Sequence, residues 1–470
     1  MSEIEHVPRH AWRASVEHAL ADGGRFAGAW ASGRGETRVW RALFVSPERL
    51  QVLSCAASHG EVDSIVDLVE ASGWDEREAH DLYGLTFAGH APMRALVAHP
   101  EDPARWMTPV SGDGVHQLAV GPIHAGVIES GHFRLHVIGE RILALDPRLF
   151  YKHRGLERAA EGRTAEQALA YAGRACAACS ITNTLAYAQA VESARGLQPD
   201  RRLRVARTAL LELERLYNHL HDIGAICAGV GYAPGAMAFA ALKDRAQQLN
   251  MRCFGHRFLF GAVGLGGEAA GRPDAATIDG ARAELRELRV DGTAAWRELE
   301  FAGSLQARLG AVGVLGAEDA RRLGAVGPAA RAAGIREDAR TASPRLAYDG
   351  FVAASLRDAA GDVGSRLGLR AIELESTHEI LEDLLAQPFT GGGTAPGGAG
   401  SMLGIGRVES PRGATVCAVE LDGPEVTRLH LRTGSYANWP SLAHATAEGL
   451  LPDFPLINKS FELCYACVDR

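Results

Sequence analysis

Apolar residues at helical spacing mark the start of the chain. Trp12, Val16 and Leu20 recur at intervals of four residues, a period that places them on one face of a helix. Residues 1–23 are therefore predicted to form an amphipathic helix. A second helix is expected near residues 62–71.

Between these two helices the pattern shortens to strand-like runs. Residues 25–56 hold short apolar stretches with a turn at Gly33-Arg34-Gly35, which predicts several strands. The mixture indicates a small α+β N-terminal domain over residues 1–100. A Pro- and Asp-containing segment, 101–114, is predicted to be a linker.

From residue 115 onward the pattern is mainly helical. Apolar and polar residues alternate over 121–142, a predicted β-hairpin, and over 414–433, two predicted strands. Residues 326–344 are predicted to be irregular. Segments at helical spacing are 184–192, 202–223, 243–258 and 354–386. The expected fold class is α+β, with a mainly helical second domain and small sheets over 115–470.

One helical segment, 202–223, carries a stripe of leucines. Such a stripe is typical of a buried helix face, so its members are predicted to be core residues: Leu203, Leu210, Leu213 and Leu220.

Two cysteine pairs stand far apart in the second domain. Cys176 and Cys179 form one Cys-x-x-Cys, and Cys464 and Cys467 form the other. Each pair can place two sulfurs on one metal centre. The pairs serve one site only if the fold brings them together, which we expect.

A structural zinc site and unpaired core cysteines are the alternatives. Zinc fingers and ribbons keep their pairs within a short module, so the long separation disfavours zinc. The remaining cysteines are isolated between apolar residues and are predicted to be small buried hydrophobic residues; they are Cys55, Cys227, Cys253 and Cys417.

Composition narrows the function classes. A net charge of −8 with 23% charged residues does not indicate the basic face that nucleic-acid binding requires. Eight cysteines without a signal-like N-terminus indicate a reducing compartment, where thiolates bind metals. Because no apolar run reaches the roughly 18 residues that span a bilayer, we expect no transmembrane segment in this chain.

The motifs around the cysteines resemble those of the large catalytic subunit of nickel-iron hydrogenases, in the same order. They are RGLERAAEGR at 154–163, RACAAC at 174–179, SPRG at 410–413 and LCYACVDR at 463–470. The chain is most similar in pattern to the membrane-associated group 4 enzymes, of formate hydrogenlyase and hydrogenase-4 type. Residues 74–90 resemble a signature of the complex I 30-kDa subunit, and residues 121–142 resemble the start of the 49-kDa subunit.

This resemblance implies a nickel-iron centre held by the two cysteine pairs. Cys176 and Cys464 would be terminal ligands of nickel, whereas Cys179 and Cys467 would bridge nickel to iron. Thiolates are soft ligands that suit both metals. Carbon monoxide and cyanide would complete the coordination of the iron. Because the other cysteines are isolated, no iron-sulfur cluster is expected in this chain.

The resemblance also implies two residues that act beside the metals. Splitting of dihydrogen releases a proton, and a carboxylate must carry it away. Glu129 in IESGHFR lies near the family's proton-gate glutamate, although in other groups that residue directly precedes Gly-His. Arg412 would lie over the diatomic ligands of the iron. The alternatives are a surface salt bridge for Glu129 and a pair with Glu409 for Arg412.

Several positions depart from the family pattern. Glu157 matches a residue that lines a second, structural magnesium or iron ion, but Arg470 stands where a histidine ligand is usual. A Glu157–Arg470 salt bridge is the alternative. Arg174 of the first motif is kept, whereas Ala177 replaces glycine. Asn183 replaces a histidine, and an amide can donate to a thiolate but cannot titrate near neutral pH.

A non-catalytic quinone-site subunit of complex I type is the competing function. His124 in GPIHAG resembles a residue of that quinone pocket. The complex I subunit lacks the cysteine set, so the four thiolates favour the hydrogenase. A hydrogenase homologue without turnover is a third possibility.

The hydrogenase resemblance implies partners as well as a reaction. Dihydrogen and protons would be the reactants. A small subunit with 4Fe-4S clusters, complex I-like membrane subunits and further electron-transfer subunits would bind the chain. Its expected location is cytoplasmic, peripheral on the cytoplasmic face of the inner membrane.

Overall fold

A four-stranded sheet forms the centre of the N-terminal part. The computed structural model describes residues 2–124, 128–267, 273–388 and 390–470. The strands run in the order β1-β4-β3-β2, with β1 parallel to β4 and the other neighbours antiparallel. They are β1 (Ser2–Val7), β2 (Arg25–Ser32), β3 (Val39–Val45) and β4 (Leu50–Ala56).

The predicted helix over 1–23 is correct only in its second half. Helix α1 (Trp12–Ala21) covers one face of the sheet and buries Trp12 and Val16. Ser2–Val7 is a strand instead, because its backbone pairs with β4, some fifty residues later in the chain. Local spacing carries no information about such a partner.

The second predicted helix lies later in the chain than 62–71. Helix α2 spans Gly73–Tyr83, between the short strands β5 (Glu61–Asp63) and β6 (Thr86–Ala88). The buried carboxylate of Glu76 accepts hydrogen bonds from Ser64 Oγ at 2.7 Å and from the Ile65 N–H at 2.9 Å. A side chain thus takes up donors that a helix would otherwise use.

The remaining described chain is mainly helical, with small antiparallel sheets. The strands are β7 (Val115–Val120), β8 (His132–Ile138), β9 (Arg141–Arg148), β10 (Leu197–Pro199), β11 (Thr394–Pro396), β12 (Leu403–Ser410), β13 (Gly413–Asp422) and β14 (Glu425–Arg432). The helices are α3 (Leu156–Ala160), α4 (Ala165–Gly173), α5 (Ser180–Ala194), α6 (Arg201–Val230), α7 (Ala233–Phe254), α8 (Ala275–Glu300), α9 (Gly303–Gln306), α10 (Ala317–Arg322), α11 (Gly327–Ala332), α12 (Val363–Leu385), α13 (Gly434–Thr446) and α14 (Phe454–Phe461).

These elements confirm the α+β class and correct several boundaries. The strands predicted over 414–433 are β13 and β14, and the hairpin predicted over 121–142 is β8 and β9 with β7 beside them; residues 125–127 lie outside the described residues. The helix expected from 354 begins only at Val363, where Asp362 accepts from the Ser365 N–H and caps it. Helix α8 was not predicted, and the stretch 326–344 contains α11.

Helices α5, α6, α7, α8 and α12 enclose the largest apolar cluster. All four leucines of the α6 stripe are buried, as predicted, and all but Leu203 belong to this cluster. The opposite face of the N-terminal sheet packs against β12 and β13, where Trp30, Leu43 and Val52 meet Leu403 and Ile405. Both faces of that sheet are therefore covered. Among the described residues, no helix is long and apolar enough to cross a membrane. The division at 1–100, 101–114 and 115–470 stays a prediction.

Candidate metal centre

The four motif cysteines converge at one place in the fold. Their sulfur atoms all lie within 4.8 Å of one another, and Cys179 Sγ lies 3.9 Å from Cys464 Sγ. Cys176, Cys179 and Cys467 are buried, whereas Cys464 is half-buried. The four isolated cysteines are buried outside this cluster, as predicted.

Each cysteine pair is positioned by the end of a helix. Cys179 immediately precedes α5, so its sulfur lies near a helix N-terminus, where a thiolate is favoured. At the other pair, α14 ends at Phe461 and is followed by Glu462, whose backbone is left-handed with φ +47°. This turn directs the chain toward Cys464, and the Cys464 N–H donates to Ser435 Oγ at 3.0 Å.

Arg154 links the two cysteine motifs across the sequence. Its guanidinium donates to the Ala175 carbonyl at 2.7 Å and to the Ala466 carbonyl at 2.9 Å. A further hydrogen bond reaches the Arg174 carbonyl at 3.1 Å. One side chain from the RGLE motif thus joins the residues that flank both pairs. The sequence contained a signal for this role, because Arg154 opens the motif in which only Glu157 was singled out.

The pKa values of the clustered cysteine thiols shift in opposite directions. Hydrogen bonds from the other three thiols hold the pKa of Cys464 well below its ordinary value, helped by the charge of Arg412. Donation to neighbouring sulfurs raises the pKa of Cys179 and Cys467. Four thiolates so close together repel one another. A bound cation would remove that repulsion, so the donor set fits a metal centre.

Asn183 is a buried polar group without a protein partner. It lies one helical turn after Cys179, and its backbone N–H donates to the Cys179 carbonyl at 3.0 Å. The side chain is fully buried, and neither of its amide atoms has a hydrogen-bond partner among the described residues. Such a group is costly unless something pairs with it. A role of the Asn183 side chain at the sulfurs stays a prediction.

Arg412 is held over the cluster by helix α6. It is buried, and its Nη2 contacts Asp222 Oδ1 at 2.8 Å while its Nε donates to the Glu462 carbonyl at 3.0 Å. A third hydrogen bond goes to Asn218. The suggested pair with Glu409 is wrong, because Glu409 is bound by Arg331 at 2.9 Å.

Asp222 and Asn218 were missed at the sequence level. They lie one turn apart on α6, on the side facing Arg412, and Asn218 also donates to the Ala178 carbonyl at 2.7 Å. Polar residues within a predicted leucine-rich helix were the available signal.

A cavity of about 310 Å³ opens beside the sulfurs. Its wall includes Cys176, Cys464, Arg412 and Glu129. Structural zinc sites are closed, whereas reactive sites keep an open position. The cavity therefore favours a reactive centre over a structural zinc site.

Glu129 lies at the rim of this cavity. Glu129 as a whole is an exposed residue. One of its carboxylate oxygens accepts a hydrogen bond of 2.7 Å from the N–H of Ala466, a residue between the two cysteines of the second pair. Burial of the carboxylate raises its pKa above the ordinary value, and the Ala466 N–H partly opposes this. The suggested surface salt bridge is absent, because among the described residues Glu129 has no ion-pair partner.

Glu157 lies in a buried ion cluster that Arg470 completes. Arg470 donates to Glu157 at 2.7 Å and to Glu78 at 2.8 Å, and Arg428 contacts Glu157 at 2.9 Å. Although burial alone would raise the pKa of Glu157, Arg470 and Arg428 hold it well below the ordinary value.

Glu78, Glu157 and His430 have the spacing of metal ligands. The two guanidinium groups already neutralise these carboxylates, which disfavours a cation, whereas both ring nitrogens of His430 lack a hydrogen-bond partner among the described residues. The second ion stays a prediction.

The two other predicted site residues, Arg174 and His124, make contacts with residues other than the four cysteines. Arg174 is exposed, and its guanidinium stacks on the Phe260 ring at 5.4 Å. His124 Nε2 contacts the Gly131 carbonyl at 2.7 Å. Both stay predictions as functional residues.

Comparison with known proteins places the chain in a family. A family model of the respiratory-chain NADH dehydrogenase 49 Kd subunit matches residues 230–395 and 389–470, and a model of the 30 Kd subunit matches residues 31–113. Formate hydrogenlyase subunit 5 of Escherichia coli (strain K12) is 30% identical over 454 residues, which cover 88% of this chain and 78% of that protein. The chain belongs to the group 4 hydrogenase large-subunit family. Hydrogenase-4 component G of the same organism is 30% identical over 450 residues, 88% of this chain and 77% of that protein.

Other members of the wider group are complex I subunits. An NADH-quinone oxidoreductase subunit of Solibacter usitatus (strain Ellin6076) is 27% identical over 370 residues, 75% of this chain and 96% of that protein. The group 4 family is thus one branch of an oxidoreductase family that also includes quinone-reducing complexes. Membership in it confirms the resemblance drawn from the motifs.

Proposed function

We propose that this chain is the catalytic subunit of a membrane-associated nickel-iron hydrogenase, which interconverts dihydrogen with protons and electrons. The observation that carries the proposal is the convergence of four cysteine sulfurs within 4.8 Å at the wall of an open cavity. A quinone-site subunit would have no use for that donor set.

The chain's own residues hold the group and handle the proton. Cys176 and Cys464 would hold nickel, and Cys179 and Cys467 would hold both nickel and iron, with carbon monoxide and cyanide as further ligands of the iron. When bound, the group supplies the site at which dihydrogen is split and its electrons are removed.

Arg412 and Glu129 have separate tasks around this centre. Arg412, fixed by Asp222, presents donors and a positive charge toward the cavity. Glu129 accepts the released proton at its carboxylate and passes it from the rim of the cavity to solvent. Asn183 would donate a hydrogen bond to a sulfur or a ligand of the centre.

Electrons need a further carrier, because among the described residues only one cysteine cluster is present. A partner protein with 4Fe-4S clusters would dock near the cavity, and complex I-like membrane subunits would hold the assembly peripherally on the cytoplasmic face of the inner membrane. Several relatives are described by name as parts of hydrogenase or quinone oxidoreductase assemblies.

Metal analysis of the purified complex tests the proposal. We expect nickel and iron bound to the chain, together with infrared bands of carbon monoxide and cyanide. Cys176→Ala and Cys464→Ala should abolish the nickel signal, whereas Cys253→Ala, a buried cysteine in α7, should retain it. Stoichiometric zinc without nickel, or a metal-free chain that reduces quinone, would exclude the hydrogenase.

A further inference from the structure

A second cavity, of about 660 Å³, lies where the N-terminal part meets β12. Its wall is formed by residues 45–50, 340–350 and 397–399, together with parts of 189–204 and β12. It shares no lining residue with the cavity at the cysteines. The hydrogenase reaction proposed above gives this space no role.

Arginine side chains with incomplete pairing line this cavity. Arg345 Nη1 has no hydrogen-bond partner in the described chain and approaches only Glu192, at 3.7 Å. Glu192 is already bound by Arg207 through two hydrogen bonds of 2.6 and 2.9 Å. Arg204 makes only a long contact of 3.4 Å, to the Pro344 carbonyl. Donors of this wall therefore lack a full set of acceptors among the described residues.

Arg407 is a third cation of this wall and is half-buried overall. It extends from β12, two residues after Ile405 and on the same side of the strand. Its Nε is buried without a hydrogen-bond partner among the described residues. The neighbouring carboxylates of Glu409 and Asp338 are engaged by other arginines, Glu409 by Arg331 at 2.9 Å.

A buried guanidinium nitrogen that lacks a hydrogen-bond acceptor, such as Nε of Arg407, is costly. Burial lowers the pKa of Arg407, and repulsion from Arg407 adds to the burial that lowers the pKa of Arg25 to about 10. Glu409 and Asp338 attract the charge of Arg407 from nearby, but no ion pair with Arg407 is present among the described residues. An anion in the cavity would relieve this cost.

The acidic residues of the cavity do not supply that anion. Asp349 is paired with Arg201 at 2.9 Å. Glu48 lies on the opposite, N-terminal wall and makes no ion pair with Arg407 in the described chain. The cationic residues therefore exceed the free carboxylates on this surface.

The glycine-rich stretch from Gly391 gives the cavity room. Gly397 and Gly398 line it together with Gly196, whose φ is +66°. A Cβ on Gly196 would lie 2.4 Å from the Gly398 carbonyl oxygen, so only glycine permits this close approach. The stretch lacks a phosphate-loop motif, and here it leaves open space in front of the arginines.

We propose that this cavity binds a phosphate-bearing small molecule, with the phosphate held by Arg407 and Arg345 and flanked by Arg204. The planar fork of a guanidinium matches phosphate oxygens in pairs. The volume is in the range of pockets that take small organic ligands. The bound molecule would span the loop at 45–50 and β12, and would stabilise the contact between the two parts of the chain.

Calorimetric titration of the purified full-length chain tests this proposal. Inorganic phosphate and ADP are titrated separately at constant ionic strength, and we expect saturable binding of at least one of them. Arg407→Gln should weaken binding by at least about tenfold, the loss expected for a charge-assisted hydrogen bond. Arg407→Lys should weaken it less. Arg289→Gln, an arginine on α8 paired only with surface glutamates, should leave it unchanged.

A second variant, Arg345→Gln, keeps the proposal testable if Arg407→Gln fails to fold. Arg345→Gln removes a side chain whose only ion-pair contact is the long one to Glu192, and circular dichroism verifies that each variant is folded. Tighter binding of ADP than of phosphate would identify an organic phosphate as the ligand, and equal affinity would identify the free ion. Absence of saturable binding, or wild-type affinity in both folded variants, would overturn the proposal.

Discussion

Replacement of Glu129 by glutamine separates proton transfer from structure. The carboxylate contacts the protein through one hydrogen bond, accepted from the Ala466 N–H at 2.7 Å. A glutamine side chain has the same length, and its carbonyl oxygen can accept that bond, but it cannot take up a proton at neutral pH. No metal ligand is changed, so metal insertion should proceed.

The two effects of this replacement differ in size. Exchange of a charged for a neutral acceptor weakens one hydrogen bond by about 1 kcal/mol, which corresponds to less than tenfold. Loss of a positioned acid-base group reduces turnover about 10²–10⁴-fold, equivalent to roughly 3–5 kcal/mol in the barrier. A loss above a hundredfold therefore cannot come from the weaker hydrogen bond.

Hydrogen oxidation with an artificial electron acceptor, normalised to bound nickel, measures the effect. We expect Glu129→Gln to retain nickel and to lose turnover by at least a hundredfold. Glu140→Gln is the matched control, because Glu140 lies exposed in the turn between β8 and β9, and it should behave as wild type. Near-normal turnover of Glu129→Gln with full nickel content would refute the role of Glu129.

Two further predictions concern buried charges away from the proton route. Arg470→Gln breaks the ion cluster with Glu157 and should lower the free energy of unfolding by about 3–5 kcal/mol. Denaturant titration measures this loss, and Arg158→Gln, at an exposed residue, is the control. Equal unfolding midpoints for Arg470→Gln and the wild type would contradict the prediction. Burial raises the pKa of Glu214 from 4.5 to about 7. Between pH 4.5 and 7 the folded state therefore binds more protons than the unfolded state. The free energy of unfolding should fall as the pH rises through this range. Glu214→Gln should reduce that slope in denaturant titrations from pH 4.5 to 7, and an unchanged slope would contradict the assignment.

The donor set of the candidate centre could be predicted from the amino-acid sequence alone. Cysteine identity and spacing are local properties, so both Cys-x-x-Cys pairs and the reason to expect a shared metal were visible directly. The leucine stripe of α6 was also predictable, because the buried positions of a helix recur every three to four residues. The Glu157–Arg470 salt bridge was predicted as the alternative to a cation, because the family resemblance implies that the two positions are neighbours and their charges are opposite.

The groups that surround the sulfurs depend on the assembled fold. Asp222 and Asn218 act on Arg412, nearly two hundred residues later; their polar character within a leucine-rich helix was visible in the sequence, but no local pattern shows that Arg412 is their partner. Strand β1 also depends on the assembled fold, because its backbone groups pair with those of β4. Arg407 is a further example, because only the structure shows that the carboxylates near it are bound by other arginines. Spacing along the chain reports which face of an element is buried. Partners for hydrogen bonds and charges are chosen across the fold, and only the assembled structure shows them.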